Sequence, residues 1–388
     1  MQVLRRGRSV AAAAVILITA VLAGSASGLL ATCGPFTDAA GDAFCPFILE
    51  IFYLGITTGT TPTAYDPGAN VTRLQMAAFL SRTVDGALKR GSRRAALDQF
   101  WTTQNATVLG LTTVGGAPQM VQSDGADLWV SNSNNTVSRV RGSDGKLLET
   151  WTGATGAFGV LTAMGRVFVT NSSGAGAVFQ IDPSQTSGAV TTVVSSLGFA
   201  ANGITFDGSR IWTANNPGSV SIVTPGPTLP WTVTTVTTGF SQGVGALFDG
   251  SNVWVTDNNL GLLKLDANGA ILQTVTLSGD PRHPVFDGSN IWVPHLNAAK
   301  VVVVRASSGA VLATLTGANV APGFSAAFDG QRVLIANFFG AVTLFKAADL
   351  TQIGGFFPTG ASTTPLGACS DGVNFWVALT ASSQLARF

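Results

Sequence analysis

His283 and His295 are the chain's only histidines, and both fall in one stretch, "GDPRHPVFDGSNIWVPHLN", with Arg282 beside the first. Two imidazoles flanking one hairpin can form an acid/base pair or supply two metal ligands. Two ligands are too few for a structural metal, and spacing fixes no third. The same residues also read as polar positions on the rim of a loop face. That second reading is preferred, because little around them completes a reaction centre. Beyond Leu148 the only glutamate is Glu149, so no Glu-plus-His set can be assembled there. "DANG" at 266–269 lacks the later Glu of a calcium loop. No nucleophile elbow, phosphate loop or CxxC occurs. The sequence therefore assigns no catalytic residue, no metal ligand and no cofactor, and favours a binding protein over an enzyme.

The histidines flank one copy of a recurring phrase. "FDGSNIWVPHLN" from Phe286 returns as "FDGSNVWVTDNN" from Phe248, "FDGSRIWTANN" from Phe206, "FDGQRVLIANFF" from Phe328 and "SDGVNFWVALT" from Ser370. Asp-Gly pairs stand at 124, 207, 249, 287, 329 and 371, with a degenerate copy, "AMGRVFVTN", at 163. The seven starting points are separated by 39, 44, 42, 38, 42 and 42 residues. Periods near 40 with strand-like content indicate propeller blades. Helical repeats are excluded, because no repeat holds a 3.6-period apolar stripe.

Each repeat predicts four strands. In one of them "GALF" leads through an Asp-Gly turn to "VWVT", then "LLKLD", a Gly turn and "ILQTVTL". Gly takes positive φ without steric cost and Asp bonds back to the local backbone, so the recurring aspartates read as structural. Five residues after each Asp stands Trp129, Trp212, Trp254, Trp292 or Trp376, with Phe168 and Leu334 as substitutes. Strand alternation points all of these the same way, toward the neighbouring blade, as wedges. "NATVLGLTTVGG" (105–116) reads as one outer strand without a blade, and the last repeat lacks an outer strand. Pairing the two would remove both exposed edges. The expected fold is mainly β: a seven-bladed β-propeller over 105–388 with a small N-terminal α-helical module.

In such a blade the stereotyped Asp-Gly turns share one face. The opposite face carries the variable second-to-third turns and the inter-blade connections, where binding function usually sits. The candidate ligand residues on that face are Arg282, His283, His295, Asn215, Asp257 and Asn337. The phrase "FDGSNIWV…VVVVRASSGAVLATLTG" resembles the YVTN-type repeat propellers, which are similar to virginiamycin B lyase-like propellers. That resemblance implies the propeller fold. It also raises the alternative of a lyase or hydrolase acting on a small secreted molecule at the variable face.

Residues 33–86 have a different texture. "AFCPFILEIFYLG" spaces its apolar residues as a helix ending at Gly55, and "RLQMAAFLSRTV" starts a second at Thr72, with Gln75 completing a capping box. The set "PFTD" (Phe36, Asp38), "GITTG" (Gly55, Ile56, Gly59), "YDPGANVTR" (Tyr65, Pro67, Thr72, Arg73) and "QMAAFLSR" resembles an S-layer homology module. The resemblance implies a cell-wall polysaccharide as partner, with Arg73 helping to hold an acidic glycan.

"MQVLRRGR", "SVAAAAVILITAVLAG" and "SASG" form the three regions of a signal peptide over 1–28, with a retained membrane anchor as the other reading. No later run approaches the ~20 apolar residues of a spanning helix. Removing Arg5, Arg6 and Arg8 takes the formal charge from +1 to −2, and a near-neutral surface gives no footprint for nucleic acid. "DGALKRGSRRAALDQFW" supplies a basic linker over 87–104. Export would let Cys33 pair with Cys45, although "LLATC" also leaves lipidation of Cys33 open; Cys369 reads as a buried free thiol. The expected whole is an exported, cell-envelope-associated binding or scaffold propeller, with an unknown small-molecule or protein ligand.

Overall fold

The computed structural model describes residues 33–53, 56–80, 83, 110–317, 320–356 and 363–388. The chain divides into two units, one ending at Arg94 and one beginning at Ala95. The expected leader and linker lie outside the described residues.

The first unit is built on a core of Cys33, Phe36, Ala39 and Ile48. A helix spans Cys45–Tyr53, and a disulfide joins Cys33 to Cys45 with their Cα atoms 5.5 Å apart. That bond uses the sulfur lipidation would need. The Phe36 ring meets Phe52 edge-on at 5.1 Å and Tyr65 at 5.6 Å. Asp38 accepts the backbone N–H groups of Tyr65 (2.9 Å) and Asp66 (2.7 Å), so "PFTD" pins the "YDPG" loop. Gly59 lies at φ +78°, where a Cβ would sit 2.5 Å from the Phe36 ring and 2.6 Å from the Ala64 carbonyl. A second helix runs over 73–80. Its capping box is complete: Gln75 N–H donates to Thr72 Oγ1 (3.2 Å) and Thr72 N–H to Gln75 Oε1 (2.8 Å).

The second unit contains seven four-stranded antiparallel sheets. Blades 1 to 6 span 118–152, 157–194, 201–236, 243–275, 285–315 and 323–356. Blade 4 shows the pattern: Gly243–Phe248 innermost, then Val253–Asp257, Gly261–Leu265 and Ile271–Val275 outward. Blade 7 takes three strands from 365–387 and its outer one from Leu111–Thr113. There Leu111 pairs with Ala386 and Thr113 with Gln384, closing the ring as expected.

Seven apolar clusters hold the ring, and each straddles two successive blades. Trp129 packs with Val167 and Val169 of blade 2, and Phe168 with Ile211 and Val223 of blade 3. Trp212 meets blade 4, Trp254 blade 5 and Trp292 blade 6. Leu334 meets Phe375 and Val377 of blade 7, whose Trp376 returns to Val121 and Val130 of blade 1. The five indoles are at most 1% exposed. Each indole N–H donates at 2.7–2.8 Å to the aspartate five residues earlier: Asp124, Asp207, Asp249, Asp287 or Asp371. The second oxygen of the carboxylate accepts backbone N–H groups of its own turn, as Asp249 does from Ser251 and Asn252. In blade 6, where Leu334 replaces the indole, Arg332 Nε takes that place on Asp329 at 2.7 Å.

Candidate functional site

The innermost strands surround a central cavity of about 240 Å³ lined by residues of all seven blades. Four residues before each Asp of the Asp-Gly pair stand Met120, Gly203, Gly245, His283, Ser325 and Gly367. The glycines are there because neighbouring strands touch. A Cβ on Gly203 would lie 2.6 Å from the Ala246 nitrogen, and one on Gly367 2.5 Å from Met120 Cα. In blade 5 this crowded position carries an imidazole.

Blade 5 departs from the repeat around that residue. Its inner strand is only Val285–Phe286, where the other blades have six or seven residues. Pro284, at the place of Ala246 in blade 4, lacks the N–H donor a ladder needs, whereas Pro281 stands where blades 1 and 7 carry Pro118 and Pro365. Pro281 bridges to His295 and Arg282 N–H donates to the Pro294 carbonyl at 2.9 Å. His283 instead turns to blade 6: its N–H donates to Phe324 O (3.0 Å) and its carbonyl accepts Ala326 N–H (3.1 Å). The two histidines therefore do not pair with each other across the Asp287 hairpin: Pro281 bridges to His295, and His283 stands at the register shift that most other blades also have, past Met120, Gly159, Gly245 and Gly367.

The His283 ring crosses the channel. It lies 5.7 Å from Phe158 of blade 2 and 5.2 Å from Phe324 of blade 6, and Phe324 lies 6.3 Å from Phe338. Phe158 and Phe324 themselves approach to 6.4 Å. These residues stand at the variable-face ends of their strands, so the channel mouth is closed by aromatic rings. Arg282 lies over the Phe324 ring at 5.7 Å, and its Nη2 donates to Asp280 Oδ2 at 2.6 Å. Asp280 holds φ +63°, a strained backbone for a non-glycine residue.

Both imidazoles are neutral at pH 7. Burial, aided by Arg282, lowers the pKa of His283 to about 3. Burial and Lys300 lower that of His295 to about 4, against the opposing Val293 carbonyl. Among the described residues, Asp280 Oδ1, Arg282 Nε, His283 Nε2 and His295 Nε2 are buried without a hydrogen-bond partner. Burying such atoms unpaired costs about 1–3 kcal/mol each. Among the described residues, no three His, Cys, Asp or Glu side chains converge to hold a metal ion.

The remaining candidates lie elsewhere. Asn215, Asp257, His295 and Asn337 occupy one repeated position, eight residues after each Asp, and are at most 1% exposed. Asn215 Nδ2 braces Ser219 (3.1 Å) and Ser221 (3.0 Å), and Asn337 Nδ2 braces Thr343 (2.8 Å). Asp257 accepts the N–H groups of Ser241 and Gln242 at 2.8 Å. These side chains support the second-to-third turns of three different blades and are not brought together. Arg73 is exposed on the helix 73–80. Sequence reasoning missed Phe158 and Phe324, and weighed Asp280 only as a candidate beside the histidines that spacing did not fix. The available signal was register: His283 stands where four other repeats carry Gly, and His295 where four carry Asn.

Residues 35–77 match the S-layer homology domain, whose presence implies association with the cell envelope. Among solved structures, the chain is similar to hydrazine synthase of Kuenenia stuttgartiensis, with 15% identity and a TM-score of 0.61 over 71% of this chain and 96% of that one. It is also similar to the Pan2 WD40 domain of Neurospora crassa, with 11% identity and a TM-score of 0.58 over 71% of this chain and 94% of that one. At these identities the likeness shows the fold alone. In all, 1747 solved chains match, the breadth expected of a fold reused for unrelated tasks. A search among curated proteins found no match. Among the described residues, no helix is long and apolar enough to cross a membrane.

Proposed function

We propose that the chain is an exported, envelope-held binding protein. Residues 1–28 direct export, the module at 33–86 grips wall polysaccharide through Arg73, and a YVTN-type propeller presents its variable face to a ligand. The carrying observation is the S-layer homology match over 35–77, together with the folded core and pinned "YDPG" loop of that segment. Arg73 supports the reading because it is exposed and forms no ion pair among the described residues, which leaves its guanidinium available to a carboxylate- or phosphate-bearing glycan.

Binding is favoured over turnover by the state of the histidines. A general acid or base works best with a pKa near the operating pH, whereas burial holds His283 and His295 at about 3 and 4. The test is co-sedimentation of the mature chain with purified wall polysaccharide. Wild type is expected in the pellet, and Arg73→Ala should be retained at least about tenfold less, the size of one lost charge-assisted contact. Equal retention of both would remove Arg73 from the reading, and no retention of either would remove wall attachment.

A further inference from the structure

We propose that the groove between blades 4 and 5, on the Asp-Gly turn face, binds a singly charged oxyanion, a carboxylate or a phosphodiester, through Lys264 and Arg305. The groove has a volume of about 370 Å³ and is lined by both cations, with Asp249, Ser251, Ser289 and Phe286 among its other walls. That volume falls within the usual range for small ligands of about 300–1,000 Å³. The site lies opposite the variable face, so it does not depend on that face being the ligand-facing one.

Comparison of the blades with one another shows what is unusual at this seam. In blade 1 Arg139 is the strand partner of Trp129, lies over its ring, and pairs with Asp127 (2.6 Å) and Glu149 (3.1 Å). Blade 4 has Lys264 at that place, 5.2 Å from the Trp254 ring. The residues standing for the two acids are Asn252 and Gln273, both neutral. Lys264 Nζ reaches the Ala306 carbonyl at 3.4 Å, which leaves further N–H groups for a ligand. Arg305 lacks its partner in the same way. Its counterpart Arg141 opens a turn with the same backbone bonds in blade 1 and pairs with Asp144 at 3.1 Å. Lys346 and Asp349 stand at those places in blade 6, but in blade 5 the acid is replaced by Ser308. Among the described residues neither Lys264 nor Arg305 forms an ion pair.

The lining also describes the ligand. Its one carboxylate is Asp249, whose oxygens already accept the N–H groups of Ser251 and Asn252 and the Trp254 indole. Lys264 and Arg305 against Asp249 leave one positive charge, which fits a monoanion. Arg305 is exposed, and its planar fork can take both oxygens of a carboxylate or a phosphodiester, while the Lys264 ammonium adds a point charge. Ser251 and Ser289 are exposed and supply hydroxyls. Phe286 offers an apolar wall to the uncharged part of the ligand.

The mature full-length chain is titrated at pH 7.5 and low ionic strength with glucuronate, with dimethyl phosphate, and with glucose as the neutral counterpart. The backbone amide signals of Gly288, Ser289 and Ser307 are followed. At least one anion should shift them, and glucose should not. Lys264→Gln, which keeps most of the stem over Trp254, should weaken the response at least about tenfold, the size of one lost charge-assisted contact. Ser308→Asp should do the same while melting within a few degrees of wild type, because it rebuilds the blade 1 turn. Ser308 Oγ accepts Ala310 N–H at 3.3 Å as Asp144 accepts Lys146 N–H at 3.0 Å. Lys146→Ala, removing an exposed cation of blade 1, should change nothing. A response to glucuronate alone assigns a carboxylate ligand, and one to dimethyl phosphate alone a phosphodiester. The proposal is wrong if neither anion moves the signals or if glucose moves them equally. It is also wrong if either groove variant, still folded, responds as wild type does, or if Lys146→Ala weakens the response as much.

Discussion

The aspartate of each Asp-Gly turn has two oxygens, and the fold uses them for different purposes. One accepts the backbone N–H groups of the turn, and the other accepts the indole N–H of the wedge tryptophan. Asp207 shows the balance: burial raises its pKa, but Trp212, Arg210 and Ser209 outweigh that and hold it at about 2. Asp249→Ala should therefore lower unfolding free energy by about 1–3 kcal/mol, since it strands a buried indole donor. Asp249→Asn should lose less, and urea melts would distinguish the two. The histidines set the acid response. Their folded pKa values lie below the unfolded 6.5, so the unfolded chain binds the extra protons. The stability contributed by neutral His283 and His295 is complete above pH 6.5 and is lost as pH falls toward about 4 and about 3. Asp207 contributes above its unfolded value near 3.8 and loses that contribution only as pH falls toward about 2. The melting temperature should thus decline between pH 6.5 and 4, and His283→Gln should flatten that decline; an unchanged slope would contradict the burial of the ring.

At the scale of elements, legibility followed locality. The capping box of Thr72 and Gln75, the Asp-Gly hairpins and the four-strand parse were readable because each is decided within a few residues. The wedge positions were readable because strand alternation transmits direction over five residues. Trp254→Ala should cost about 3–5 kcal/mol, because the cavity would open between two sheets that relax only partly. Leu334→Ala, at the same place between blades 6 and 7, should cost about 2–5 kcal/mol. Denaturant titration of both variants would check that every seam depends on its wedge. The broken inner strand of blade 5 was not read. Pro284 was visible, but where the preceding segment goes depends on blade 6, whose Phe324 and Ala326 receive His283.

The whole ring depends on one distant pairing. Leu111–Thr113 completes a sheet whose other strands begin at Pro365, so closure joins residues far apart in sequence. Without that strand the edge 384–387 is left open, and open edges recruit other chains. Deleting residues 105–116 should lower the melting temperature by at least about 5 °C and produce concentration-dependent oligomers by light scattering. A monomeric deletion variant with unchanged melting would mean that closure contributes little.

The period, the turn chemistry and the missing outer strand determined the seven-bladed ring from sequence alone, because repetition states the same local rule seven times. Only the tertiary structure decided which polar residues meet. Asn215, Asp257, Asn337 and His295 looked like one rim in sequence but brace separate turns. Phe158, His283 and Phe324 come from blades 2, 5 and 6 and meet across the channel. Contacts across the axis of a ring depend on its diameter and on where each chain enters it, and neither quantity is written in any one repeat.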